Sequence, residues 1–301
     1  QQAQHYCKKA MSLINSAAFK NNTKLYTLRI NSHKASAILK TVKINLKLNS
    51  HNNEAFFKSQ LSDIKVAIEL LEKQISILTN ESSTSLFIQD NANVFLIAKQ
   101  LSLKLYKITK NTDYLKAVLG YHESMVYHKI RSRLNSKSVQ LTANLPKEIL
   151  EEEQKLKAKL NDDLDEKLTI DSYIQYEKKW SNFLEELKQN HPDYYKLRYA
   201  SISRSLNQVE HNISESSTVI RYIFIADTLY GFVITSEAIR MVELDAVCLK
   251  QLISQVNKKA ERLQPTYKLQ AKLYDKLWKP LEMHVKTKSV VWTAFILHFI
   301  G

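Results

Sequence analysis

The chain has 301 residues and a mass of 35.0 kDa, enough for one or two domains with a core of their own. Apolar residues make up 44% and charged residues 25%, which excludes disorder; only three glycines and four prolines exclude folds rich in tight turns, such as β-sandwiches, propellers and a whole Rossmann protein, and glycine-rich phosphate loops with them. The net charge of +14 sits in residues 1–145, with 21 Lys and Arg against 8 Asp and Glu, while the remainder holds 23 against 22.

Mostly helix is therefore expected. In the first 200 residues the apolar positions recur at helical spacing. Leu25, Leu28, Ile38 and Val42 outline a helix ending near Asn49–Asn53. Leu61, Ile64, Ile68, Leu71, Ile75 and Leu78 mark one amphipathic face, and Phe87, Val94, Ala98, Leu101, Leu105 and Ile108 another. After the Asn111-Thr112-Asp113 break, where Thr112 or Asp113 can cap a helix, Tyr114, Ala117, Val118, Tyr121 and Met125 continue the pattern. Short helices with wide apolar faces and small polar loops read as stacked helical hairpins. Ala117 is expected to be buried where two of them cross.

A different texture covers 146–190. Pro146 opens a helix with Ile149, Leu156, Leu160, Leu164 and Leu168 set between charges; a second carries Tyr173, Tyr176, Trp180, Phe183, Leu184 and Leu187. Together they read as an antiparallel helical hairpin ended by His191-Pro192-Asp193. Beyond residue 214 the period becomes two. Val219–Ile225, Leu229–Thr235 and Ala238–Leu244 read as a three-strand meander, followed by helices over Val247–Leu263 and Tyr267–Leu281 and a buried strand over Val290–Leu297. Strands, helices and a further core strand mark the opening of an α/β domain.

Little in this pattern carries chemistry. Cys7 and Cys248 are far apart in sequence, which argues against a disulfide framework or a zinc site and fits a reducing, cytoplasmic home; both are expected in the core. His122 and His128 are six apart, off one helical turn, and His5 with Cys7 gives too few metal ligands. The acidic runs Glu151–Glu153 and Asp162–Glu166 lack an EF-hand glycine and read as solvated helix faces. No catalytic, cofactor-binding or metal-binding residue is assigned. The longest apolar run, Val290–Ile300, is short of the about 17–25 residues of a membrane span. The basic half suits nucleic acid or an acidic protein, but lysines spread along the chain read more simply as solvated helix surface. The chain opens on Gln1 with no secretory signal pattern, as a segment of a longer protein would.

Several stretches, taken in order, carry a resemblance. Asn111–Leu134 (NTDYLKAVLGYHESMVYHKIRSRL) has a Tyr-x-x-Ala core, an aromatic four residues on and a basic exit helix, after Ser85–Tyr106. Leu145–Leu164 is a charged helical linker, and Lys188–Tyr199 (KQNHPDYYKLRY) an Asn-x-Pro-x-Tyr-Tyr-x-Leu-x-Tyr stretch. Ser216–Leu244 gives the strands, and Leu273–Glu282 (LYDKLWKPLE) the helix before the core strand. In this order the chain resembles bacterial proteins that join tetratricopeptide repeats to a CHAT domain, a caspase-like cysteine peptidase module.

The resemblance implies a mainly α chain of three parts: a repeat α-solenoid over 1–140, a charged helical hairpin over 141–200 and the first, incomplete part of an α/β CHAT domain over 201–301. It further implies a protein or peptide partner in the helical-repeat groove. After the core strand the family carries Pro-Asp-Gly-x-Leu-His-x-x-Pro-Phe-Glu; this chain keeps Leu297-His298-Phe299-Ile300 without the Pro-Asp-Gly and stops before Pro-Phe-Glu. The family's catalytic His and Cys lie downstream of that point, and His298 corresponds to its structural histidine. This chain is therefore expected to be inactive as a peptidase and to need no cofactor. The alternative from another class is a scaffold whose basic face binds an acidic protein or nucleic acid.

Overall fold

The computed structural model describes residues 2–15, 26–48, 53–78, 81–137, 145–161, 170–200 and 213–293. They divide into two compact units, one of residues 1–101 with 121–202 and the other of residues 102–120 with 203–301.

The first unit is helical. It contains α1 (Gln2–Asn15), α2 (Tyr26–Leu48), α3 (Glu54–Ile77), the first part of α4 (Glu81–Thr109) and the second part of α5 (Asp113–Lys137). With 23 to 29 residues apiece, α2 to α5 are longer than the short helices expected, because no proline interrupts any of them. Asn53 caps α3 by accepting the Phe56 amide at 2.8 Å. Phe57, Leu61, Ile64, Ile68 and Leu71 are buried along α3, the face its spacing predicts. Asn45 of α2 donates to the buried Gln60 of α3 at 3.0 Å, so a polar pair is satisfied inside that packing.

The hairpin follows as α6 (Lys147–Asn161) and α7 (Ile170–Asn190), with α8 (Pro192–Arg198) beyond it. Leu156 and Leu160 of α6 pack with Trp180, Phe183 and Leu187 of α7 and with Tyr194 of α8. Ile77 of α3 belongs to the same cluster, and Asn161 donates to its carbonyl. The segments read as repeats and as hairpin thus share one core.

In the second unit the meander is present as β1 (Ser217–Ile225), β2 (Thr228–Ile234) and β3 (Ile239–Leu244), each antiparallel to the next. β4 (Ser289–Thr293) returns parallel to β1, giving the order β3-β2-β1-β4. The connection runs through α9 (Leu249–Glu261) and α10 (Tyr267–Leu273), then a π-helical turn at Tyr274–Trp278 and α11 (Lys279–Glu282). Pro280 gives the turn its reason, since it lacks an amide and its ring crowds the preceding carbonyls. One sheet face, with Ile220, Tyr222, Leu229, Val233 and Leu244, packs against Leu249, Leu273, Leu277 and Leu281 of this helical layer. The opposite face buries Ile223, Phe232, Ile234 and Ile239. On that face Lys107, from the 102–120 segment of the same unit, lies 3.6 Å from Glu243 and 5.9 Å from the Tyr230 ring centre.

The last strand corrects an expectation. Its described part ends at Thr293, and Val291 is 46% exposed rather than buried; β4 stands at the end of the strand order, with no strand along its outer edge among the described residues. Ala117 is likewise half-buried rather than buried, while its neighbours Leu115, Val118 and Leu119 point into the core.

At Gly231 the sheet and the helical layer approach closely. A Cβ built there would lie 2.7 Å from one Leu281 methyl and 3.2 Å from a Leu244 methyl. Gly231→Ala should lower stability by about 1–3 kcal/mol through overpacking, read from a denaturant midpoint; Leu281→Val should return part of that loss.

Candidate functional site

The most heavily interconnected ionisable group is Glu153, 4% exposed on the inner face of α6. Its Oε1 accepts from Lys157 Nζ at 2.9 Å, Arg198 Nη1 at 3.1 Å and the Tyr199 hydroxyl at 2.6 Å. Its Oε2 accepts from the Tyr194 hydroxyl at 2.5 Å and from Arg198 Nη1 at 3.3 Å. Burial pushes the carboxyl upward, but Lys157, Arg198 and the two phenols outweigh it and hold Glu153 below the ordinary carboxylate range. Burial dominates at Lys157 instead and lowers it despite Glu153. The Lys157 ammonium also lies 5.6 Å from the Trp180 ring centre and 5.2 Å from that of Tyr199. Every acceptor position on Glu153 is filled by this chain, so the cluster ties α8 to the hairpin and leaves no substrate position.

This overturns the reading of Glu151–Glu153 as wholly solvated: Glu151 and Glu152 are exposed, whereas Glu153 turns inward with Leu156 and Leu160. Asp162–Glu166 and His298 lie outside the described residues. The Pro192–Arg198 stretch is packed, as its aromatics suggest, with Tyr194 buried and Trp180 edge-on to Tyr199 at 5.5 Å.

Neither cysteine is a core residue. Cys7 is half-buried in α1, and Cys248 is exposed. Cys248 stands at the start of α9 with φ of 60°, a left-handed conformation. The turn before it is set by Asp245, whose Oδ1 accepts the Val247 amide at 2.9 Å, and this swings residue 248 out of the packed face. Among the described residues neither sulfur makes a hydrogen bond to a histidine. His128 is 5% exposed and its Nε2 lies 3.9 Å from Glu72 Oε1, which also accepts from Ser124 at 3.1 Å. Burial, with the Glu72 charge behind it, pushes the neighbouring Tyr121 phenol up to about 12. No group of three or more His, Cys, Asp or Glu among the described residues could hold a metal ion.

The described lysines of the basic half are not all on the surface. Lys40 and Lys47 are exposed and Lys43 half-buried along one side of α2, but Lys99 is 6% exposed. Burial lowers Lys99 to about 8. Between pH 8 and 10.5 the unfolded chain then binds the extra proton, so Lys99 makes stability rise with pH across that window. Lys99→Met should make the rise shallower across that window and stabilise the protein at pH 7, as measured by urea unfolding across pH.

A cleft of about 260 Å³ opens beside the β2–β3 turn. Its walls are the turn itself, from Thr235 to Ala238, Val233 of β2, Arg240 of β3, Glu215 ahead of β1, and His284, Lys286 and Thr287 ahead of β4. The turn is stiffened by Thr235, whose hydroxyl accepts the Ala238 amide at 3.1 Å and whose amide donates to the Ala238 carbonyl at 3.0 Å. Thr287 is fixed by hydroxyl bonds to Thr218 at 2.6 Å and to the Ser289 carbonyl at 3.0 Å. Arg240 Nη1 lies 3.4 Å from His284 Nδ1. Because a guanidinium only donates, Nδ1 is the acceptor and the ring proton sits on Nε2. Nothing in the sequence distinguished these residues, which come from four separate loops and strand ends.

Set against models of known protein families, curated proteins and solved structures, the chain matches none of them. No helix among the described residues is long and apolar enough to cross a membrane.

Proposed function

We propose that this chain is a protein-binding helical region of tetratricopeptide-repeat type, joined to the N-terminal part of a caspase-like CHAT domain, and that the described residues perform no peptide cleavage themselves. The observation that supports this reading best is the order of the second unit: a three-strand meander, a helical layer, then a strand parallel to β1. That order agrees with the one the resemblance implies. Among the described residues the Cys248 thiol, exposed at the start of a helix, makes no hydrogen bond to a histidine that could take its proton. The test is a fluorogenic peptide library under reducing conditions, with the expected result no turnover. Cleavage that disappears in Cys248→Ala would overturn the non-catalytic part of the reading.

The second reading, an acidic or nucleic-acid partner on a basic surface, draws on the Lys40, Lys43 and Lys47 row of α2. Fluorescence anisotropy with a single-stranded and a duplex oligonucleotide separates the two. Binding that falls steeply with salt and weakens in Lys40→Ala/Lys47→Ala would favour this second reading; the helical protein-binding reading expects neither.

A further inference from the structure

We infer that the cleft beside the β2–β3 turn binds a small zwitterion of amino-acid size, its carboxylate facing Arg240 and Lys286 and its ammonium facing Glu215 and Glu237. The argument begins with charge. The cleft is lined by two fixed cations, Arg240 and Lys286, and two carboxylates, Glu215 and Glu237. None of these four forms an ion pair with another, although all border one space. With His284 neutral, the lining carries no net charge. A simple anion in that space would meet the two carboxylates as well as the two cations, and a simple cation the two cations as well as the carboxylates. A ligand that carries both charges a few ångströms apart can set each of them beside lining groups of the opposite sign.

Size narrows the class. At about 260 Å³ the cleft is just below the usual range for drug-sized ligands, roughly 300–1,000 Å³. A free amino acid fits that space, with Val233 and Ala238 offering a small apolar wall for its side chain. Polar donors are also in place. The Arg240 guanidinium donates to His284 Nδ1 through Nη1 and keeps its other N–H groups for a carboxylate, and His284 Nε2–H is a further donor. The Ser236 hydroxyl, in the turn, has no partner among the described residues. The walls are stiff, since Thr235 and Thr287 are committed to internal hydrogen bonds. The four charged side chains are solvent-exposed, which sets the expected dissociation constant at about 0.1–1 mM rather than tighter.

The experiment is amide-shift NMR on the full chain with the twenty free amino acids, each at about 10 mM, well above that constant. At least one should move the amides of Thr235–Ala238 and His284–Thr287. The N-acetyl and methyl-ester forms of that amino acid should each bind at least tenfold more weakly, as should the parent amino acid to Arg240→Gln and to Glu215→Gln. These residues are exposed, so the variants retain the fold, which the rest of the spectrum reports. The proposal is overturned if no amino acid moves those amides or if the blocked forms bind as tightly as the parent. It is equally overturned if the two variants bind unchanged, or if inorganic phosphate alone moves the same amides as strongly, which would mark a plain anion site.

Discussion

Glu153→Ala is expected to destabilise the helical unit by about 3–5 kcal/mol, because it leaves the buried Lys157 and Arg198 charges without their carboxylate. The two tyrosine hydroxyls lose their acceptor at the same time. Glu153→Gln keeps an acceptor oxygen but not the charge, so it should fall between the parent and the alanine variant. The decisive comparison is a triple variant, Glu153→Met with Lys157→Leu and Arg198→Met. If desolvated charge is the problem, removing all three should recover most of the loss, since buried ion clusters are readily replaced by apolar packing. Acid should reproduce part of the effect. Glu153 ionises below its ordinary value in the folded protein, so the stability it contributes is fully present above the unfolded-state value of about 4.3. That contribution fades as pH falls through the lower, folded value. Urea midpoints measured between pH 5 and pH 2 should drop less in Glu153→Gln than in the parent.

Trp180→Ala should cost a similar amount, about 3–5 kcal/mol, by emptying the centre of the hairpin core. The indole is 1% exposed and stacks on Phe183 with 5.6 Å between ring centres. Its Nε1–H donates to Ser76 of α3 at 3.3 Å, so the loss should also loosen α3 from the hairpin. The indole face meets the Lys157 ammonium, which makes the two sites energetically dependent. A double-mutant cycle with Lys157→Met should therefore show a coupling of about 0.5–2 kcal/mol. Additivity within error would mean that the ring contributes by volume alone.

Much of this architecture was legible in residue spacing. Leu61, Ile64, Ile68 and Leu71 are buried along α3 because a continuous apolar stripe at helical period has one low-energy way to be covered. The meander was equally readable, its strands separated by the short Ala226-Asp227 and Thr235–Ala238 connections. Glu153 shows where such reading stops. It lies four residues after Ile149 and three before Leu156, squarely on the apolar stripe of α6, yet its type and two acidic neighbours suggested solvent. The signal was present as position rather than composition, together with the Arg198 and tyrosines of the next segment. Asn111 is a smaller case: its Oδ1, not a side chain of Thr112 or Asp113, accepts the Asp113 amide at 2.9 Å. Cys248 was misplaced because its apolar neighbours conceal a turn that Asp245 sets. The cleft lay beyond sequence reading altogether, since chain geometry alone brings Glu215, Arg240 and His284 to one place.

The membership of residues 102–120 in the sheet-containing unit has a practical and a temporal meaning. Neither unit is a continuous stretch of chain, so no single cut yields both intact. A fragment starting near residue 203 would keep every described strand yet leave Tyr230 and Glu243 without Lys107, and it should be poorly soluble beside the parent chain. During synthesis the order is reversed in time: the 102–120 segment leaves the ribosome long before β1 exists. Tyr230 and Glu243, the partners of Lys107, follow about a hundred residues later, a delay that favours slow folding and reliance on chaperones.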